Sequence, residues 1–130
     1  MIKARLLTAS CTTGWGDWIH GELWLLPDAL VRVRNNLLTT IAHQNRPTVP
    51  NEPVVHEFDE GELERLVRGH KTNLWIPADQ IVAADLRKGV LSSRLSLALA
   101  DGRRIKLLWL ARDPAAAPLK DALESWGVSV

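Results

Sequence analysis

The chain has 130 residues, with 16 Lys and Arg against 15 Asp and Glu and a formal net charge of +1. That length predicts one domain spanning 1–130 with room for a real core, to which six Trp contribute, and the even charge gives no global reason to expect nucleic acid or an anionic membrane. The lone Cys11 cannot build a disulfide framework or a Cys-based zinc site, the N-terminal MIKARLLTAS lacks the apolar core of a signal peptide, and no run approaches the ~20 apolar residues that span a bilayer; a cytoplasmic protein without a transmembrane segment is the expectation.

Residues 2–8 predict a first strand. Residues 9–20 hold Cys11, Gly14, Trp15, Gly16 and Trp18 and predict a loop. Residues 21–26 and 29–34 predict a hairpin turned at Pro27-Asp28, with Val31 and Val33 alternating with Arg32 and Arg34, so that one side of the second strand should meet solvent. Asn35-Asn36, Pro47, Pro50, Asn51 and Pro53 favour loop through His56, with at most a strand extension or helical turn over 36–42. Asp59 with Glu62 resembles a capping box, and Leu63, Leu66, Val67 and His70 follow at helical spacing with Glu64 and Arg68 as an i,i+4 pair. A short helix over 59–69 is predicted, ended by Gly69. Residues 74–76 re-enter the sheet, and Pro77 limits that strand.

The stretch from Asn73 to Leu110 organises the chain. Runs at 80–87, from Leu91, and at 104–110 are separated by turn signals at Lys88-Gly89 and Asp101-Gly102. Asp-Gly suits a two-residue type I′ turn. Leu95, Leu97 and Leu99 alternate with Arg94, Ser96 and Ala98; Ile105, Leu107 and Trp109 alternate with Arg104, Lys106 and Leu108. This is the pattern of an antiparallel meander with one apolar face. A helix follows: Asp113 suits the N-cap, Pro114 the first turn and Gly127 the C′ position, while Ala116, Leu119, Leu123 and Trp126 form one apolar stripe. The total is mainly β, about seven strands with one inserted and one terminal helix, in a sandwich or a barrel.

The order of Gly21-Glu22-Leu23-Trp24-Leu25 with Pro27-Asp28-Ala29-Leu30-Val31, then Ile76-Pro77-Ala78-Asp79-Gln80-Ile81, Leu91-Ser92-Ser93-Arg94-Leu95, Asp101-Gly102-Arg103-Arg104, Leu108-Trp109 and the final helix resembles the bacterial branch of the PH-like and GRAM-like superfamily, over roughly 21–127. The resemblance implies a PH-like barrel: about seven antiparallel strands in two near-orthogonal layers, capped by the C-terminal helix. It also implies a range of functions, from phosphoinositide and peptide binding to oligomeric scaffolding, so function has to be argued from a site. The loop between the first two strands, where headgroup-binding members carry Lys and Arg, has neither here.

Two candidate sites emerge. Arg87, Lys88, Arg94, Arg103 and Arg104 cluster around the late hairpins and could bind an anion through bidentate Arg contacts, or could be ordinary solvated turns with Arg87-Lys88 at the opposite end from Arg103-Arg104. Trp15 and Trp18 in the 9–20 loop, with Leu63 and Leu66 on the inserted helix, could contact a protein partner, or could lid and pack the domain itself. Asp17 with His20 lacks a nucleophile and reads as structural. His20, His43, His56 and His70 form no ligand spacing, Cys11 carries no catalytic signature, and Gly14-x-Gly16 lacks the rest of a phosphate loop. No catalytic, cofactor or metal residue is therefore assigned. The expectation is a non-enzymatic interaction module for protein contact or self-assembly; the alternative is a binding domain for an anionic lipid headgroup or small anionic ligand.

Overall fold

The computed structural model describes residues 2–11, 21–34, 54–69, 73–111 and 115–130. The expectations for Trp15, Asp17, Trp18, His20, residues 36–42, His43, His70 and the Asp113-Pro114 helix start lie outside these residues. The elements in chain order are β1 Ile2–Cys11, β2 Gly21–Leu25, β3 Ala29–Arg34, β4 Val54–Phe58, α1 Glu60–Arg68, β5 Leu74–Pro77, a single 3-10 turn Ala78–Gln80, β6 Ile81–Arg87, β7 Ser92–Leu99, β8 Arg104–Leu110 and α2 Ala116–Ser125. They make two antiparallel sheets, ordered β4-β1-β2-β3-β5 and β6-β7-β8. β1 runs close to β8, but no ladder joins the sheets among the described residues, so they stay two layers and do not close into the continuous barrel expected.

β4 is a strand that the sequence reading places largely in loop. Val54, Val55 and Phe58 favour extended chain, but the segment is short, follows Pro53 and lies next to a region rich in Asn and Pro. Residues 54–58 form a strand because β1 offers them an open edge, in a register from Ile2 opposite Phe58 to Leu6 opposite Val54. Such non-local pairing is invisible to periodicity.

The large sheet is buried on both faces. On one, Leu7, Leu23, Leu30 and Ile76 meet Leu95, Leu97, Leu99, Leu107 and Trp109 of the small sheet and Leu119, Leu123 and Val128 from the C-terminal helix and its tail. On the other, Ala4, Leu6, Trp24, Val31, Val33 and Phe58 meet Leu63 of α1. Trp24 and Phe58 pack edge to face there, with centroids 5.6 Å apart and planes at 89°.

This double burial corrects the expectation for β3. The alternation of Val31 and Val33 with Arg32 separates two interiors, not an interior from solvent. Arg32 is fully buried, and its Nη2 donates to the Cys11 carbonyl at 3.1 Å. A buried guanidinium needs such partners, because its desolvation is otherwise uncompensated.

The helix ends follow local chemistry in part. Asp59 occupies the N-cap position with extended backbone, yet its side chain makes no capping bond; its carbonyl accepts from Leu63 N–H at 3.1 Å. At the other end of α1, Asn73 Nδ2 donates to the Leu66 carbonyl at 2.7 Å and satisfies part of the last turn. At the end of α2, Gly127 has φ +80°, Gly127 N–H donates to Glu124 and Val128 N–H donates to Leu123, which is the Schellman arrangement expected at this glycine. Gly127→Ala should therefore cost about 1 kcal/mol, read as a lower urea midpoint, while Ala at the exposed Lys120 should leave the midpoint unchanged.

Candidate functional site

The meander β6-β7-β8 has one face in the core and one in solvent. Leu95, Leu97, Leu99, Leu107 and Trp109 are buried, as their alternation predicts. The opposite parity defines the outer face. There Arg94 stands opposite Leu108 and Arg87, Ser96 opposite Lys106 and Asp85, and Ala98 opposite Arg104 and Ala83. Three small residues, Ala83, Ser96 and Ala98, leave a shallow trough, and Arg94, Arg104 and Lys106 line it.

Asp85 is the acidic residue of this face among the described residues, and it is engaged. Both its oxygens accept from Arg87 Nε, at 3.3 and 3.2 Å. That pairing offsets the repulsion between Arg87 and Arg94, which face each other across the ladder. Arg103 is also engaged: its Nε donates to Asp101 Oδ2 at 2.7 Å and its backbone N–H to Asp101 Oδ1 at 3.0 Å. These bonds, the backbone one first, hold the Asp101 carboxyl below the ordinary carboxylate range. Arg94, Arg104 and Lys106 make no ion pair among the described residues, and Arg94 Nε is covered without a hydrogen-bond partner there.

The two turns differ from expectation. Gly102 N–H donates to the Leu99 carbonyl and Leu99 N–H to the Arg103 carbonyl, so the loop is the three residues Ala100-Asp101-Gly102, with Gly102 at φ +88°. The Asp101 side chain, by accepting from Arg103, selects this loop over the two-residue type I′ turn. The other turn takes four residues, 88–91, and β7 begins at Ser92, not Leu91. Leu91 is 84% exposed and Val90 95%.

Of the anion candidates, the structure brings Arg94 and Arg104 onto one face and adds Lys106, which the alternation of β8 exposes but which was not among the candidate residues. Arg87 stands opposite Arg94 on the same face but is paired with Asp85, and Lys88 begins the 88–91 turn. Arg103 is tied to the far turn. Of the partner candidates, Leu63 is 1% exposed and is spent on the protein's own core, and Leu66 is half-buried against the same cluster. The inserted helix therefore docks on its own sheet.

A second depression lies between α1 and the β2–β3 turn, lined by Trp75, Val67, Ile2, Glu64 and Arg68 among others. Glu64 and Arg68 neutralise each other at 3.1 Å, the i,i+4 pair expected. Cys11 is fully buried, and His56 packs its ring on Phe58 at 4.4 Å. Among the described residues no group of His, Cys, Asp and Glu is placed to hold a metal, and no helix is long and apolar enough to cross a membrane. No family model matches the sequence, and no curated protein matches it. The outer face of the small sheet, with Arg94, Arg104 and Lys106, is the candidate site.

Proposed function

We propose that the protein is a non-enzymatic binding module of the PH-like and GRAM-like kind, that its working surface is the outer face of β6-β7-β8, and that its partner is anionic. Two antiparallel sheets packed face to face, with a C-terminal helix on their shared core, support the fold assignment. The five-plus-three strand division and α1 on the far face are this chain's departures from the expected pattern. One observation carries the functional reading: Arg94, Lys106 and Arg104 border a trough floored by Ala83, Ser96 and Ala98 and make no ion pair among the described residues, while Asp85, which also lines the trough, is taken up by Arg87. Arg offers a planar fork to phosphate or carboxylate, and Lys adds a point charge.

Inositol hexakisphosphate titrated calorimetrically into the full chain tests this. Binding should weaken with salt, and Arg94→Glu with Lys106→Glu should reduce it about tenfold or more. Lys120→Glu, the same change of charge on α2, should leave it unaltered. Equal binding by the double variant and the parent would sink the reading.

Contact with a protein, including a second copy, is the second reading, and the free edge of β6 favours it. β6 pairs with β7 alone among the described residues, and Val82, beside its bulge, is 63% exposed. Such an edge can accept another strand. Light scattering across a concentration range would show a rising mass if this edge pairs.

A further inference from the structure

The 88–91 turn is an apolar apex on a basic stem. Val90 and Leu91 are the two most exposed large hydrophobic residues described, at 95% and 84%. They sit side by side on a convex tip. Gly89 makes the tip tight: a Cβ there would collide with the Ser92 carbonyl oxygen. The base is tied down, because Ala111 N–H on the β8 side donates to the Leu91 carbonyl at 3.0 Å. The flanks are Arg87 and Lys88 before the tip and Arg94 after it, and the outer face continues to Lys106 and Arg104.

A convex pair of aliphatic side chains is the wrong shape to receive a peptide. It suits a soft apolar phase into which it can be pressed. The charges decide which phase. Cationic side chains just behind an apolar tip would lie at headgroup depth if Val90 and Leu91 reached the acyl boundary, where anionic headgroups complement them. We infer that this hairpin tip inserts shallowly into an anionic lipid surface, with Lys88 and Arg94 as its headgroup collar and Arg87, already paired with Asp85, beside them. The inference rests on the anionic-partner reading above and names the partner. Insertion has to be shallow, because the turn's own backbone polar groups cannot be left unpaired in hydrocarbon. One small tip with a handful of charges gives weak, reversible attachment, strongly reduced by salt.

The test uses the full chain with vesicles of phosphatidylcholine alone and of phosphatidylcholine with phosphatidylserine. The protein should sediment with the second and not the first. Val90→Ser with Leu91→Ser should lower that partitioning by about a hundredfold, since burying each aliphatic side chain is worth roughly tenfold or more. Both side chains lie in solvent, so the variant should keep its melting temperature and its inositol hexakisphosphate binding. A Val90→Cys protein carrying an environment-sensitive fluorophore adds a direct readout, because Cys11 is fully buried and escapes labelling. Its emission should shift to the blue on phosphatidylserine vesicles.

Vesicle binding untouched by the tip variant, or an unshifted label, would overturn insertion. Inositol hexakisphosphate binding through Arg94 and Lys106 without any vesicle binding would overturn the lipid inference and leave the anionic face standing. Loss of both would remove both readings. A concentration-dependent mass abolished by the tip variant, without vesicle binding, would assign the tip to a second copy and overturn the inference.

Discussion

Trp109→Ala should lower the unfolding free energy by about 3–5 kcal/mol, the cost of truncating a large side chain in a packed core. Trp109 is 2% exposed and stands where both sheets and the C-terminal helix meet. Its place follows from the parity of β8, which turns Leu107 and Trp109 inward and Lys106 outward. Because its indole nitrogen is buried without a hydrogen-bond partner among the described residues, the ring contributes through burial and dispersion. Trp109→Phe should therefore cost far less, about 1 kcal/mol or under, since losing an unpaired N–H offsets part of the lost volume. Urea denaturation followed by circular dichroism separates the two. Equal losses for Ala and Phe would mean that the indole N–H has a partner.

Leu63→Ala should be the second large effect, about 2–5 kcal/mol. Leu63 is the buried residue of α1 and its anchor against Trp24, Val31 and Phe58. A nine-residue helix has little stability without such docking. Hydrogen exchange should show α1 amides losing protection first, while β7, held in the other core, keeps its protection. Glu64→Ala, which removes an exposed i,i+4 pair, should change stability by about 0.5 kcal/mol or less. Unchanged stability in Leu63→Ala would mean that the helix is not docked, and would return Leu63 to the surface available to a partner.

The late half of the chain was the most legible, and for a plain reason. In β7 and β8 the inward and outward residues alternate because one face is core and the other is water, so hydropathy reports geometry directly. The Schellman end at Gly127 was legible too, because it needs only a residue that tolerates positive φ. β3 misled for the opposite reason. Its two faces both lie in interiors, so the Val/Arg alternation no longer distinguishes inside from outside, and Arg32 ends up buried on a backbone carbonyl. β4 was missed because its strand character comes from the edge of β1, more than forty residues away in sequence.

The candidate site was legible as a list of charges and not as a surface. Arg87, Arg94, Arg103 and Arg104 could be named from the turns. Which of them face the same way depends on register: Arg94 opposite Leu108 and Arg104 opposite Ala98 put both on the outer face, whereas the Asp101 bonds hold Arg103 at the turn. Lys106 was visible in the same alternation. The exposed tip was not, since Leu91 reads as the start of a strand, whereas the ladder begins at Ser92.

By itself the sequence determined what short-range chemistry determines: the meander, the parity of β7 and β8, the positions of both helices, and the Gly127 end. Tertiary structure alone decided which faces were covered. Among the described residues, the small sheet and the C-terminal helix cover one side of the large sheet and α1 covers the other, and the outer face of β6-β7-β8 is left open and basic. The physical reason is that burial is a property of pairs of surfaces. A strand carries its own alternation, but what meets each side of it is set by segments distant in the chain.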